Sequence, residues 1–225
     1  MIKEIREKFN REFTEEKYNN FLNDVWQITN GEVDFRINET PLFLSKEFTQ
    51  QLIEASESIA SQLQTVEFKN ASINAVPEKY NIPNEDKHPL FLQVDFAVSQ
   101  NEIGKFIPQL IELQGFPSLY AFQAFLANKI REHFHIDDSL DNYFNYYNDE
   151  KYLEFFGKAV LNDKEIENVI LLEINPDKQK TRIDFYLTKK YLGIETVCIS
   201  KIIQRGNKLF YKKDNIEVPI ERIYN

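Results

Sequence analysis

Three side chains near the middle of the chain, Asp95, Glu112 and Gln114, combine types and spacing that suit a hard cation. Leu90, Leu92, Val94, Phe96 and Val98 alternate with other residues, the period of a half-buried strand. Phe106–Leu113 is a second apolar run, and Asn101–Gly104 supplies a turn between the two. Residues i and i+2 of a strand face the same way, so Glu112 and Gln114 share a face. A hairpin around the turn brings Asp95 beside them. Two carboxylates and an amide oxygen form the oxygen-only set that Mg²⁺ prefers. Glu112 sits between Ile111 and Leu113, so burial on one face is expected, and a buried carboxylate needs a cation or hydrogen-bond donors to offset its desolvation. Two chemistries fit: a Mg²⁺–nucleotide site, and a nuclease with Asp on one strand and Glu-x-Lys on the next. Gln114 stands where the nuclease lysine would be, which weighs against the second.

Other groups carry weaker signals. Glu173–Asp177, followed by Gln179, Lys180, Thr181, Arg182 and Asp184, falls where a predicted strand gives way to a helix, a common place for anions in α/β folds. Lys180 and Arg182 are the candidates for meeting a phosphate there. The segment has no glycine and no P-loop pattern, and a polar turn capped by Asp177 or Thr181 is the simpler reading. His133 and His135 flank Phe134 at a predicted helix end, where residues two apart diverge by about 200°. They suit the negative end of the helix dipole better than a metal. Cys198 lies in an apolar strand and reads as a core residue, and the Tyr143–Tyr147 cluster reads as packing.

The elements that must position these groups follow from periodicity. Residues 2–28 are helical with a restart at Thr14, and Val33–Ile37 reads as a short strand or an extended entry. Ser45 opens a helix to about Gln64, and Asn70–His88, with two prolines, reads as a long loop. Ser118 is the expected N-cap of a helix to Phe134, and Tyr152–Leu161 is another helix. Val169–Ile174, Arg182–Leu192 and Glu195–Ile199 form a strand–helix–strand unit, the mark of a parallel sheet. Lys208–Lys212 and Ile216–Ile220 make a last hairpin. The fold class is α+β: N-terminal helices, a central antiparallel hairpin and a small parallel α/β unit. We place a domain boundary near 162–167, giving regions 1–163 and 164–225. Because an Ile/Val-rich strand runs to Asn225, the chain reads as part of a longer protein.

Composition narrows the partners. A net charge of −9 argues against broad binding to nucleic acid or an anionic membrane. One cysteine excludes an intrachain disulfide and a cysteine zinc site, which fits a cytoplasmic protein. The 19 Phe and 11 Tyr imply a core built on aromatic rings.

Val94-Asp95-Phe96 and Pro108–Gln114 together resemble the Arg-x-Asp-Phe … Glu-x-Asn pattern of circularly permuted, glutathionylspermidine-synthase-like ATP-grasp proteins. The resemblance covers roughly residues 88–225. It implies that Asp95, Glu112 and Gln114 hold Mg²⁺ bound to ATP, and that Gln93 occupies the position of the family's phosphate-contacting Arg. Gln114 replaces the family's Asn. The whole protein would then be an ATP-dependent carboxylate–amine ligase acting on a small-molecule carboxylate and an amine. Its nucleotide clamp would lie in a C-terminal remainder of the parent chain, and the present stretch alone would be inactive. A non-catalytic interaction domain on the same scaffold is the alternative.

Overall fold

A computed structural model describes every residue except Met1, Asn81, Glu85 and Lys87. The chain is mixed α and β and divides into two compact units, Met1–Lys8 with Thr40–Pro117, and Phe9–Glu39 with Ser118–Asn225. The division runs through helix α1 (Lys3–Glu12), and residues 162–167 fall inside the second unit.

In the first unit, Ser45 caps helix α3 (Lys46–Leu63) by accepting from the Phe48 amide, after which Thr65 caps the short helix α4 (Val66–Ser72) in the same way. A 3-10 turn at Glu78–Tyr80 follows. The expected loop over Asn70–His88 therefore begins inside a helix, while Asn81, Glu85 and Lys87 of that stretch lie outside the described residues. Strands β1 (Gln93–Gln100) and β2 (Phe106–Gln114) pair antiparallel about a turn in which the Asn101 side chain accepts from the Ile103 and Lys105 amides. Phe48 of α3 meets Phe106 of β2 edge-on, with ring centroids 6.4 Å apart. Pro108 sits within β2, an edge strand of this two-stranded sheet.

In the second unit, Thr14 caps helix α2 (Glu15–Ile28), the predicted restart. Val33–Ile37 forms no strand and stays irregular. Phe9, Phe13, Phe21 and Phe134 stack into an aromatic cluster that joins α2 to the end of helix α5 (Tyr120–His133). Helix α6 (Asp149–Leu161) starts three residues before its expected first residue because Asn148 caps it by accepting from the Lys151 amide.

Strand β3 (Val169–Glu173), helix α7 (Arg182–Leu192) and strand β4 (Glu195–Cys198) form the predicted strand–helix–strand unit. Gly193, with φ +79°, ends α7 in the left-handed conformation that costs glycine least. A third strand, β8 (Arg222–Tyr224), lies parallel on the other side of β3, giving the order β4-β3-β8. Val169, Ile170 and Leu171 are buried, as the central strand of a covered parallel sheet requires. Arg222 donates to the Val160 and Ala159 carbonyls at 2.7 and 3.1 Å, satisfying two last-turn groups of α6 that the helix itself leaves open. Strands β5 (Ile203–Arg205), β6 (Lys208–Lys213) and β7 (Ile216–Ile220) make a separate antiparallel sheet, with Pro219 on its β7 edge.

Thr188 of α7 is fully buried, and its hydroxyl has no partner among the described residues. An orphaned buried hydroxyl costs on the order of 1–3 kcal/mol, and valine keeps the shape without it. Thr188→Val is expected to stabilise the protein by about 1 kcal/mol. The check is a higher urea midpoint at unchanged slope.

Candidate functional site

The hairpin brings Asp95, Glu112, Gln114 and Gln93 together. Asp95 pairs across the strands with Glu112, and Gln93 with Gln114. The register slips between Asp95 and Phe96, which leaves Ile111 as the extra residue of a β-bulge directly beside the carboxylates. The Gln114 amide donates to Asp95 Oδ2 at 2.9 Å and to Glu112 Oε1 at 2.7 Å, so both carboxylates converge on one nitrogen. Gln93 donates to the other oxygen of Asp95 at 2.9 Å.

Glu112 is exposed, not buried as expected. A two-stranded sheet covers too little area to enclose both its faces, and Gln109 to Glu112 stand open to solvent. Neither Asp95 nor Glu112 makes an ion pair among the described residues. Two carboxylates converging without a countercharge form a donor set that fits a hard divalent cation. Among the described residues no group of three or more His, Cys, Asp or Glu side chains is arranged to hold a metal. A cation here would thus rest on two carboxylates and on Gln114 turned to offer its oxygen, with the remaining oxygens coming from phosphate or water.

Lys180 and Arg182 belong to the second unit. Arg182 is committed to two carboxylates: its Nε donates to Glu32 at 2.9 Å and its Nη1 to Asp34. These partners, Asp34 foremost, raise its already high pKa. Lys180 is exposed and makes no ion pair among the described residues. His133 lies in the last turn of α5 with Nε2 2.9 Å from Asp24, and that bond, aided by Lys129, holds the Asp24 carboxyl below its usual range. Cys198 is buried at the end of β4, where its sulfur is 3.1 Å from Ser200 Oγ and accepts from the Asn175 amide at 3.4 Å. The Ser200 bond, then the Asn175 amide, lowers the thiol pKa.

The residue whose importance sequence reading missed is Asp184. Ser118 does not cap α5. Leu119 holds the capping position with φ +71° and makes no side-chain capping bond. Asp184, only 1% exposed, does the work instead: Oδ1 accepts from the Phe122 amide at 2.8 Å and Oδ2 from the Leu119 amide at 3.1 Å. The signal was present in its flanks. Ile183, Phe185 and Leu187 of the same helix are buried with it, which puts its carboxyl on the inward side of α7. Burial pushes its carboxyl up to about 6, against the pull of the backbone N–H groups. Burial, with the nearby Asp184 charge, raises Tyr120 to about 12 and also raises Tyr152 and Tyr224.

No protein-family model and no curated protein matches the chain. Among solved structures it is similar to a glutathione synthetase-like effector from Globodera pallida in its apo form, at 14% identity and a TM-score of 0.59. It shares that fold. The match covers 96% of this chain and 59% of the other, so the present chain spans little more than half of the solved one.

A carboxyl whose folded pKa lies above its unfolded value, about 3.9, binds more protons when folded between those two values. Its stabilisation is therefore full below about pH 4 and is lost as pH rises through about 6. The stability advantage of the wild type over Asp184→Asn should shrink by roughly 2 kcal/mol from pH 4 to pH 7. Urea unfolding of both proteins across that range measures it, and other carboxyls cancel in the difference.

Proposed function

We propose that this chain carries the metal-binding hairpin of an ATP- and Mg²⁺-dependent carboxylate–amine ligase of the glutathionylspermidine-synthase-like, circularly permuted ATP-grasp type. The observation that carries the reading is the convergence of Asp95 and Glu112 on one amide group of Gln114, in a chain that shares its fold with a glutathione synthetase-like effector. Asp95 and Glu112 would hold the cation through their oxygens, and Gln114 would turn its amide to add a third. Gln93, two residues before Asp95 and bonded to it, would then be the contact for a metal-bound phosphate. Mg-ATP would give its terminal phosphoryl group to the carboxylate of a small molecule, releasing ADP, and an amine would then attack the acyl carbon and expel phosphate. Lys180 and Arg182 are proposed as anion contacts, and Arg182 would have to exchange Glu32 and Asp34 for that role. Because the matched structure is much longer, we assign the nucleotide clamp to sequence beyond this stretch and expect this chain alone to be inactive.

One observation favours a second reading, a non-catalytic interaction domain on the same scaffold. Gln93 and Gln114 already satisfy three carboxylate oxygens, so the cluster is stable without a cation. Titration calorimetry separates the two. The ligase reading predicts Mg²⁺ binding that weakens by about tenfold or more in Asp95→Asn with Glu112→Gln, together with weak Mg-ATP binding. Tight Mg-ATP binding by this chain would overturn the assignment of the clamp to other sequence. Equal Mg²⁺ heats in the wild type and the double variant would remove the metal site and leave the interaction domain.

A further inference from the structure

The second unit contains a cleft of about 650 Å³ between the end of α7, strand β4 and the β5–β6 hairpin. None of its residues belongs to the β1–β2 hairpin. Four lysines line it, Lys189, Lys201, Lys212 and Lys213, against two acids, Glu195 and Asp214. In a chain of net charge −9, this is a local surplus of two positive charges. Its volume is in the range of small-molecule sites, roughly 300–1,000 Å³.

The charges are organised. Glu195 Oε2 accepts from Lys189 Nζ at 2.6 Å, and its other oxygen stands 3.8 Å from Lys213 Nζ, so one carboxylate holds two ammonium groups on the same wall. Lys201 and Lys212 make no ion pair among the described residues. Glu217, the cross-strand partner of Lys212, is taken by Arg205 through two hydrogen bonds of 2.9 and 2.7 Å. Lys201 is thus left without a carboxylate partner, while Lys212 shares the field of Glu217, whose carboxyl pKa it helps Arg205 to lower, and Asp214 stands in the same cleft.

The floor is apolar and rigid. Val197 and Tyr211 are buried in one core cluster with Ile170, and the Tyr211 hydroxyl is turned away to donate to the Glu167 carbonyl at 2.9 Å. A low-dielectric floor under like charges focuses their field into the opening. The cleft has neither a glycine cradle nor a helix N-terminus, so its recognition of an anion relies on lysine point charges.

We propose that this cleft binds a small phosphate monoester. A monoester carries about −1.5 to −2 charges at pH 7, which matches the local surplus. Nucleic acid is a poorer match, because a −9 chain repels a long polyanion beyond one cleft.

The test is titration calorimetry with glucose 6-phosphate, inorganic phosphate and glucose, at constant ionic strength. Lys201→Gln with Lys212→Gln is compared with Lys3→Gln plus Lys158→Gln, an equal charge change outside the cleft. Glucose 6-phosphate should bind, glucose should not, and the cleft variant should weaken binding by about tenfold while the control does not. Binding of inorganic phosphate with the same dependence on the two lysines supports the phosphate group as the element recognised. Absence of binding at millimolar ester, or equal weakening in both variants, overturns the proposal.

Discussion

Asp184 is almost wholly withdrawn from solvent, yet its two oxygens receive the Leu119 and Phe122 amides at the start of α5. Because Leu119 adopts a left-handed backbone and its side chain cannot cap, the start of that helix depends on a residue of α7. The link fixes where α5 begins and orients it against the β3–α7–β4 unit. The tyrosines around it, Tyr120, Tyr152 and Tyr224, exclude water and so strengthen every interaction the carboxylate makes. Neutralising the group relieves the desolvation cost but weakens its hold on the amides. The same burial that makes the contact strong makes it sensitive to pH.

Much of the architecture was legible from local pattern. The apolar run from Val169, the glycine closing α7 and the strand from Glu195 all carry their structure in neighbouring residues, as do the caps Thr14 and Ser45. The hairpin followed from alternation and one turn, which put Asp95 near Glu112, but the bulge that makes Glu112 and not Ile111 its partner carries no signal in the spacing. Helix α4 escaped because it buries no residue and thus shows no apolar period. The exposure of Glu112 escaped because alternation says which face a residue shares but not how many strands flank it. Asp184 was flagged only as one polar residue of a turn, since the amides it serves lie more than 60 residues away. The amide bonds from Gln93 and Gln114 depend on the side-chain torsions, about which spacing says nothing.

The two candidate binding places differ in physical character. The hairpin offers converging anionic oxygens on an open surface, with no countercharge. The lysine cleft offers more ammonium groups than carboxylates over an apolar core. Their opposite signs are a property of placement, since the chain as a whole is acidic. Neither arrangement needs the other.

The prolines of β2 and β7 bear on how this chain behaves in company. Both strands lie at the edges of their sheets, where unpaired backbone groups invite a strand from another molecule. Pro108 and Pro219 each remove one N–H from such an edge, and Lys208, Lys212 and Lys213 line the strand next to β7. The β1–β2 hairpin, with Leu110 and Ile111 exposed, would otherwise be a template for stacking. Its single proline thus has a part in keeping a crowded solution of this protein from turning into fibres.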